Sequence, residues 1–323
     1  MAHKRVAELD SALIAEIVSK RPMLFAGGAD PTSDRPAHVR AGSGLGRVGE
    51  KLVVVQDDTH MLAYVDPHSG LADAILFPAD DGVRQFGVAR GNKAAKWDLE
   101  ACLVHDRRVY GFGSGSTPMR ERVVRVDFRQ EPAIIEVFTP SEWYAFLHEA
   151  AFGGSEPNLE GAALLGDDLW LFQRGNGAPR GLVMPINATA RVPFAAFVAF
   201  LEGRGPVPPL RDIVVWDLGE IRGVRYTFND GCAAGTGVAY LGAAEASPNT
   251  YDDGEIAGLT LGWISPDRAV YAAITENGRP VLEKGEGLMV EGERAWMVVD
   301  ADDPERPSLL CELALAGPWP HLA

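Results

Sequence analysis

Four acidic residues, Glu100, Glu160, Asp230 and Glu286, recur along the chain, each at the head of a short run of small residues that leads into a turn. If the fold gathers them, each carboxylate raises the pKa of its neighbours, and something must neutralise the group. One solution is a hard cation held by oxygen ligands. Ca²⁺ suits such a set, with Asn158, Asn229, carbonyls or water completing its shell. The other is internal pairing with Arg40, Arg174, Arg225 and Lys284, which fall near the same positions by register and require no metal. The sequence leaves both open.

A second set of polar residues follows each acidic position, in the runs Gln56-Asp57-Asp58, Ser114-Gly115-Ser116, Gln173-Arg174-Gly175-Asn176, 245–253 and 300–303. Asp58, Glu245 or Asp300 would act as a general base there, and Arg174 with Arg40 would take a substrate's negative charge. Asn176, Asn249 and Asp252 would contact the ligand. Taken singly, each run is an ordinary turn; their convergence is what points to a site. No pair of the seven histidines has zinc-motif spacing, and only His60, after Asp57-Asp58-Thr59, is retained as an acid or base. No nucleotide or organic cofactor motif is present, and there is no Gly-x-Ser-x-Gly elbow.

The elements that must position these residues form a repeat. Fifteen-residue segments starting at Ser43, Glu100, Glu160 and Glu286 align without a gap, and a fifth copy, looser by about one residue, starts at Asp230. Each is a small-residue strand, a polar or Gly turn and a second strand rich in Val, Tyr, Trp and Phe, with third and fourth strands following. Four antiparallel strands per repeat predict an all-β chain folded as one β-propeller over residues 1–323, with five blades, or six as the alternative, starting near 43, 100, 160, 230 and 286. Innermost strands line the channel, so the repeat starts form a ring at one mouth, and each hairpin returns its second strand to that mouth. Only 37 residues follow Glu286, so a segment within residues 4–27 is expected to complete the last blade and close the ring; the competing reading makes residues 6–18 a helix. A capping box at Thr139-Pro140-Ser141-Glu142 predicts a helix with Trp143, Phe146, Leu147 and Ala150 on one packing face. A helical insertion at about 188–209 buries Phe194, Phe197, Val198 and Leu201.

With 45 acidic against 30 basic residues and a formal charge of -15, the chain would repel a polyphosphate backbone, so nucleic acid is not an expected partner. Its three cysteines give neither a disulfide framework nor a Cys-x-x-Cys metal site. With no secretory leader and no apolar stretch long enough for a bilayer, a cytoplasmic, membrane-free protein with a small-molecule ligand is expected.

The phrases Asn158-Leu-Glu-Gly-Ala-Ala163, Leu169-Trp-Leu-Phe-Gln-Arg-Gly-Asn176 and 245–254 resemble an uncharacterised family of bacterial propellers. More distantly, the Glu-Gly start followed by a hairpin resembles phytase-like esterase domains and the calcium-dependent lactonases of the gluconolactonase type. The latter resemblance implies that Glu160 or Glu286 binds the metal, although those lactonases have six blades. The expected function is metal-dependent hydrolysis of a small ester, lactone or phosphoester at the channel mouth. The alternative is a non-catalytic propeller that binds a small molecule or a protein through its top loops.

Overall fold

The computed structural model describes residues 3–79, 81–149, 151–246 and 254–322. The N-terminal segment carries β1 (His3–Val6), β2 (Glu8–Leu9), β3 (Ile14–Pro22) and β4 (Leu24–Phe25). An antiparallel meander follows, of β5 (Gly42–Val48), β6 (Lys51–Gln56), β7 (Met61–Val65) and β8 (Leu71–Leu76). The second meander is β9 (Leu99–His105), β10 (Arg108–Gly113), β11 (Val123–Asp127) and β12 (Ile134–Phe138), after which comes α1 (Ser141–Glu149). The third is β13 (Leu159–Leu165), β14 (Asp168–Gln173), β15 (Asn187–Pro193) and β16 (Arg211–Asp217), with α2 (Phe194–Leu201) between its last two strands. A short β17 (Glu220–Ile221) leads into the fourth, β18 (Val224–Ala234), β19 (Gly237–Glu245), β20 (Ile256–Ile264) and β21 (Ala269–Glu276). After β22 (Arg279–Pro280), the chain ends in β23 (Lys284–Glu291), β24 (Arg294–Asp300) and β25 (Leu309–Ala316).

These last three strands lack a fourth of their own, and β3 supplies it, running antiparallel to β25 from Ile14 to Pro22. The expected N-terminal closure is therefore a strand, not the competing helix. β3 also touches β21 over two residues, which joins the fourth and fifth meanders into one sheet. We take each meander as one blade. Their first strands, β5, β9, β13, β18 and β23, pack each against the next, with β23 returning to β5, so the all-β chain is a closed propeller.

The hairpin at the base of each blade is written in the local sequence. Four have Gly at the first of two turn residues with φ near +60°, at Gly49, Gly166, Gly235 and Gly292, while Asp106 and Arg107 both adopt positive φ in the remaining one. These are the turns whose twist matches paired strands. Period-2 alternation then buries both faces of every blade, and five apolar clusters fill the five junctions between them. Glycine lets the innermost strands meet backbone to backbone: a Cβ on Gly161 would lie 2.7 Å from the amide nitrogen of Gly231, and one on Gly287 2.9 Å from that of Leu45.

Two expectations shift by a few residues. The insertion begins only at Phe194, because residues 187–193 are β15, the third strand of its blade. On α1, Trp143 and Leu147 are buried as expected, but Phe146 is 38% exposed and Tyr144 is buried instead, donating its hydroxyl to the carbonyls of Gly113 and Arg122; Ala150 lies outside the described residues. No helix among the described residues is long and apolar enough to cross a membrane.

Candidate functional site

Each innermost strand carries a bulge close to its start, where one residue drops out of register with the second strand. A bulge re-aims its side chain, and here it turns a polar residue towards the axis. The bulged positions are Ser43, Glu100, Glu160, Asn229 and Glu286, the last together with Gly287. The looser fifth copy therefore starts one residue earlier than its sequence suggests: Asn229, not Asp230, occupies the ring position. Asp230 lies one step deeper, fully buried, with its two carboxylate oxygens accepting from the backbone N–H groups of Gly231 and Leu288, each at 2.7 Å. It clamps β18 to β23 and does not line the mouth cavity.

That cavity, of about 700 Å³, is lined by the ring residues Ser43, Glu100, Glu160 and Glu286 and by the loops above them. Most of its ionic groups are already paired. Arg174, buried, bonds Glu160 at 3.3 Å and also Glu245 of the next blade, and Asn158 donates to Glu160 at 2.6 Å. Lys284 lies 3.5 Å from Glu286 and 2.9 Å from Asp302, while the Asn229 amide donates to Glu286 at 3.2 Å. Arg40 donates its Nε to Asp58 at 2.8 Å. The expected cations Arg40, Arg174 and Lys284 are therefore engaged with carboxylates, whereas Arg225 is exposed on the β17–β18 hairpin and does not line the cavity.

An unforeseen cluster completes the wall. The ammonium of Lys96 sits 2.6 Å from Asp57 and 2.6 Å from Asp98, and Arg120 reaches Asp98 at 2.8 Å. Asp57, Asp98 and Glu100 bring one carboxylate oxygen each within 4.8 Å of the others. Lys96 already supplies the positive charge of that cluster. Glu100 has no hydrogen-bond or ion-pair partner among the described residues, although it faces the cavity.

These surroundings drive the carboxyl groups apart. Burial pushes Asp98 up, but Lys96 and Arg120 outweigh it and hold Asp98 below its ordinary value. Burial, reinforced by Asp98, Glu160 and Asp57, raises Glu100 well above its own. Burial also raises Glu286 to about 8 against the pull of Lys284 and Arg174, and Asp300 to about 7 against Lys284. Asp58 is raised to about 6 by burial and by Asp57, despite Arg40. His60 is stacked on Trp97 at 3.7 Å and packed on Phe86, and burial lowers it to about 4, so it is a neutral wedge under the Lys96 loop and lies outside the cavity lining.

Of the residues singled out in the sequence, the cavity wall gathers Glu100, Glu160, Glu286, Asp58, Asp300, Arg40, Arg174 and Asn176. Glu245 stands behind it as the second partner of Arg174 and accepts from the Gly254 amide at 2.7 Å. Asn249 and Asp252 lie outside the described residues. The four expected metal ligands do not form one cage: Asp230 is clamped to backbone, while Glu160 and Glu286 are bonded to neighbouring side chains. Calcium does not fit that set. Missed by the sequence reading were Lys96, Asp98 and Arg120; the charges of Lys96 and Asp98, immediately before Glu100, were the available signal.

A model of a family of unknown function, DUF6929, matches residues 38–315. The chain belongs to this family. Membership agrees with the uncharacterised propeller family expected from the sequence, and lends no support to the more distant likeness to phytase-like esterases and lactonases. No curated protein sequence matches this DUF6929 chain. Among solved structures it is similar to glutaminyl cyclase of Myxococcus xanthus, at 11% identity and a TM-score of 0.47, covering 98% of this chain and 100% of that one. It is also similar to a mutant of Trypanosoma rangeli sialidase displaying trans-sialidase activity, at 9% identity and a TM-score of 0.43, covering 95% of this chain and 59% of that one.

Proposed function

We propose that the mouth is a hydrolytic active site for a small ester or lactone, with Glu100 as general acid and Asp300 as general base. The observation that carries this reading is that one cavity holds two carboxyls in different surroundings: Glu100, without a hydrogen-bond or ion-pair partner among the described residues and raised well above its ordinary value by burial and by Asp98, and Asp300, raised by burial to about 7. Carboxyl groups separated in this way are how one site runs acid and base chemistry together. Asp300 would take a proton from water as its oxygen attacks the carbonyl carbon. The C–O bond would break as Glu100 protonates the departing alkoxide oxygen. A phosphoester suits the cavity less well, because Arg40, Arg174, Lys96, Arg120 and Lys284 are all engaged by protein carboxylates.

The test is a panel of chromogenic esters, lactones and phosphoesters assayed with the full chain, Glu100→Gln and Asp300→Asn. Each substitution should lower kcat by about 100-fold or more on an ester or lactone, as removal of a general acid or base does. Absence of turnover across the panel, or turnover that survives both substitutions, refutes the reading.

A further inference from the structure

The polar atoms of the mouth differ in one respect that bears on what it binds. Among the described residues, the cationic side chains of the inner wall are bonded to protein carboxylates: Arg40 to Asp58, Lys96 to Asp57 and Asp98, Arg120 to Asp98, Arg174 to Glu160 and Glu245, Lys284 to Glu286 and Asp302. Arg90 is held outward by Asp34 at 3.1 Å, and Lys93 stands exposed on the outer lip. Among the described residues, two half-buried carboxyls of the cavity wall, Glu100 and Asp300, hold no cation; Asp300 shares a hydrogen bond with Asp302, whereas Glu100 has none. Asp303 and Glu305 on the same lining add acidic groups with no cationic partner among the described residues, and Phe86, largely buried, and exposed Val88 give the wall its apolar part.

A cavity with an unpaired carboxyl, whose inner cationic side chains are engaged by protein carboxylates, is complementary to a ligand that brings positive charge and N–H groups. The protein itself shows the solution next door, where the Lys96 ammonium joins Asp57 and Asp98. We propose that the mouth binds a primary alkylammonium ligand whose charged end pairs with Glu100 and whose alkyl part rests on the Phe86 side of the cavity. This rests on the cavity of the active-site reading above but not on its acid: an ammonium paired with Glu100 takes the place of the proton that a general acid must hold, so such a ligand occupies the site in competition with the ester. Glu100 is faced by Asp57 of the preceding blade, by Lys96 and Asp98 of its own approach and by Glu160 of the next. The ammonium replaces the proton that this surrounding favours, so affinity rises with pH as long as the amine stays charged.

The experiment is calorimetric titration of the full chain at low salt and pH 7.5 with 1,4-diaminobutane, its uncharged counterpart 1,4-butanediol, and calcium chloride, repeated on Glu100→Gln. Expected are binding of the diamine, at least tenfold weaker binding of the diol, and at least tenfold weaker diamine binding by Glu100→Gln, with affinity for the wild type falling as the pH is lowered. Diol binding as tight as the diamine, calcium binding in preference to it, or no diamine binding at all overturns the proposal, and none of these arms depends on the variant folding. A folded Glu100→Gln that binds the diamine like the wild type overturns it too. Diamine binding at Glu100 without turnover of any ester leaves this inference standing and removes the hydrolase reading. Turnover that depends on Glu100 without diamine binding does the reverse.

Discussion

Arg174→Met should destabilise the protein steeply and in a pH-dependent way. The guanidinium is 6% exposed and lies between Glu160, 5% exposed, and Glu245, 2% exposed, which belong to adjacent blades. Methionine fills much of the volume but leaves two carboxylates facing each other without a counter-ion. Breaking a buried pair by removing one partner costs about 3–5 kcal/mol. The lost charge can be relieved by taking up a proton, at a cost of about 1.4 kcal/mol for each pH unit above a carboxyl's ordinary value near 4.3, or about 3.7 kcal/mol at pH 7. Burial already raises Glu160 in the wild type, against the pull of Arg174, and loss of Arg174 raises it further, so the variant's stability relative to wild type falls as pH rises through the wild-type value and recovers as pH is lowered. Urea unfolding of both proteins at pH 5, 6, 7 and 8 should show a penalty that grows with pH over this range towards about 3–5 kcal/mol. A penalty that is constant with pH, or below about 1 kcal/mol at pH 7, would refute the view that Arg174 is the counter-ion of this junction.

The register of the fourth blade makes Asp230→Asn a structural lesion: one of two backbone N–H partners is lost, at a cost of about 1–3 kcal/mol by denaturant melt, while diamine affinity stays at the wild-type value. Deleting residues 1–27 removes β3 and bares β25, so light scattering should show aggregation at temperatures where the full chain is monodisperse. Because His60 is held neutral down to about 4 by burial, wild-type stability should drop as pH falls from about 6.5 towards 4, by up to about 3 kcal/mol from this residue, and His60→Phe should be flatter over that window. Calcium chloride should leave the melting temperature of the wild type unchanged, since the four acidic repeat residues form no common cage; a rise with the logarithm of its concentration would restore the metal reading.

Much of this architecture was legible because the blade is written by local chemistry. Gly49, Gly166 and Gly292 sit at equivalent turn positions, and each is followed by a strand of large apolar residues, so repeat, hairpin and ring order could be read together. The fourth blade misled by one residue because Asn229 and Asp230 are both short and polar, and alignment on the Gly that follows favours the wrong one. What placed Asn229 on the axis is the bulge opposite β19, a feature of pairing that side-chain type does not encode. The pairing of charges was less legible still. Arg120 comes in from the turn at Pro118–Arg120 and Lys96 from the one at Lys93–Ala95, both outside the repeat, so no periodicity announces them.

That pairing also explains which residue is worth substituting first. Lys96 ties the approach to the second blade to Asp57 of the first, Arg174 ties the third to Glu245 of the fourth, and Asp230 ties the fourth to the backbone of the fifth. Charge balance at the mouth and closure of the ring are thus carried by the same contacts, and a substitution in any of them perturbs fold and cavity together. Glu100 stands apart. It occupies a ring position, faces the cavity and holds no neighbouring blade, so Glu100→Gln keeps the shape and the uncharged state that burial already favours. Its thermal melt should match the wild type within about 0.5 kcal/mol, the range of substitutions that remove no structural contact. A Glu100→Gln protein that melts like the wild type but has lost both diamine binding and ester turnover would separate chemistry from architecture at this mouth, whereas one that unfolds early would show that Glu100, like its neighbours, is part of the closure.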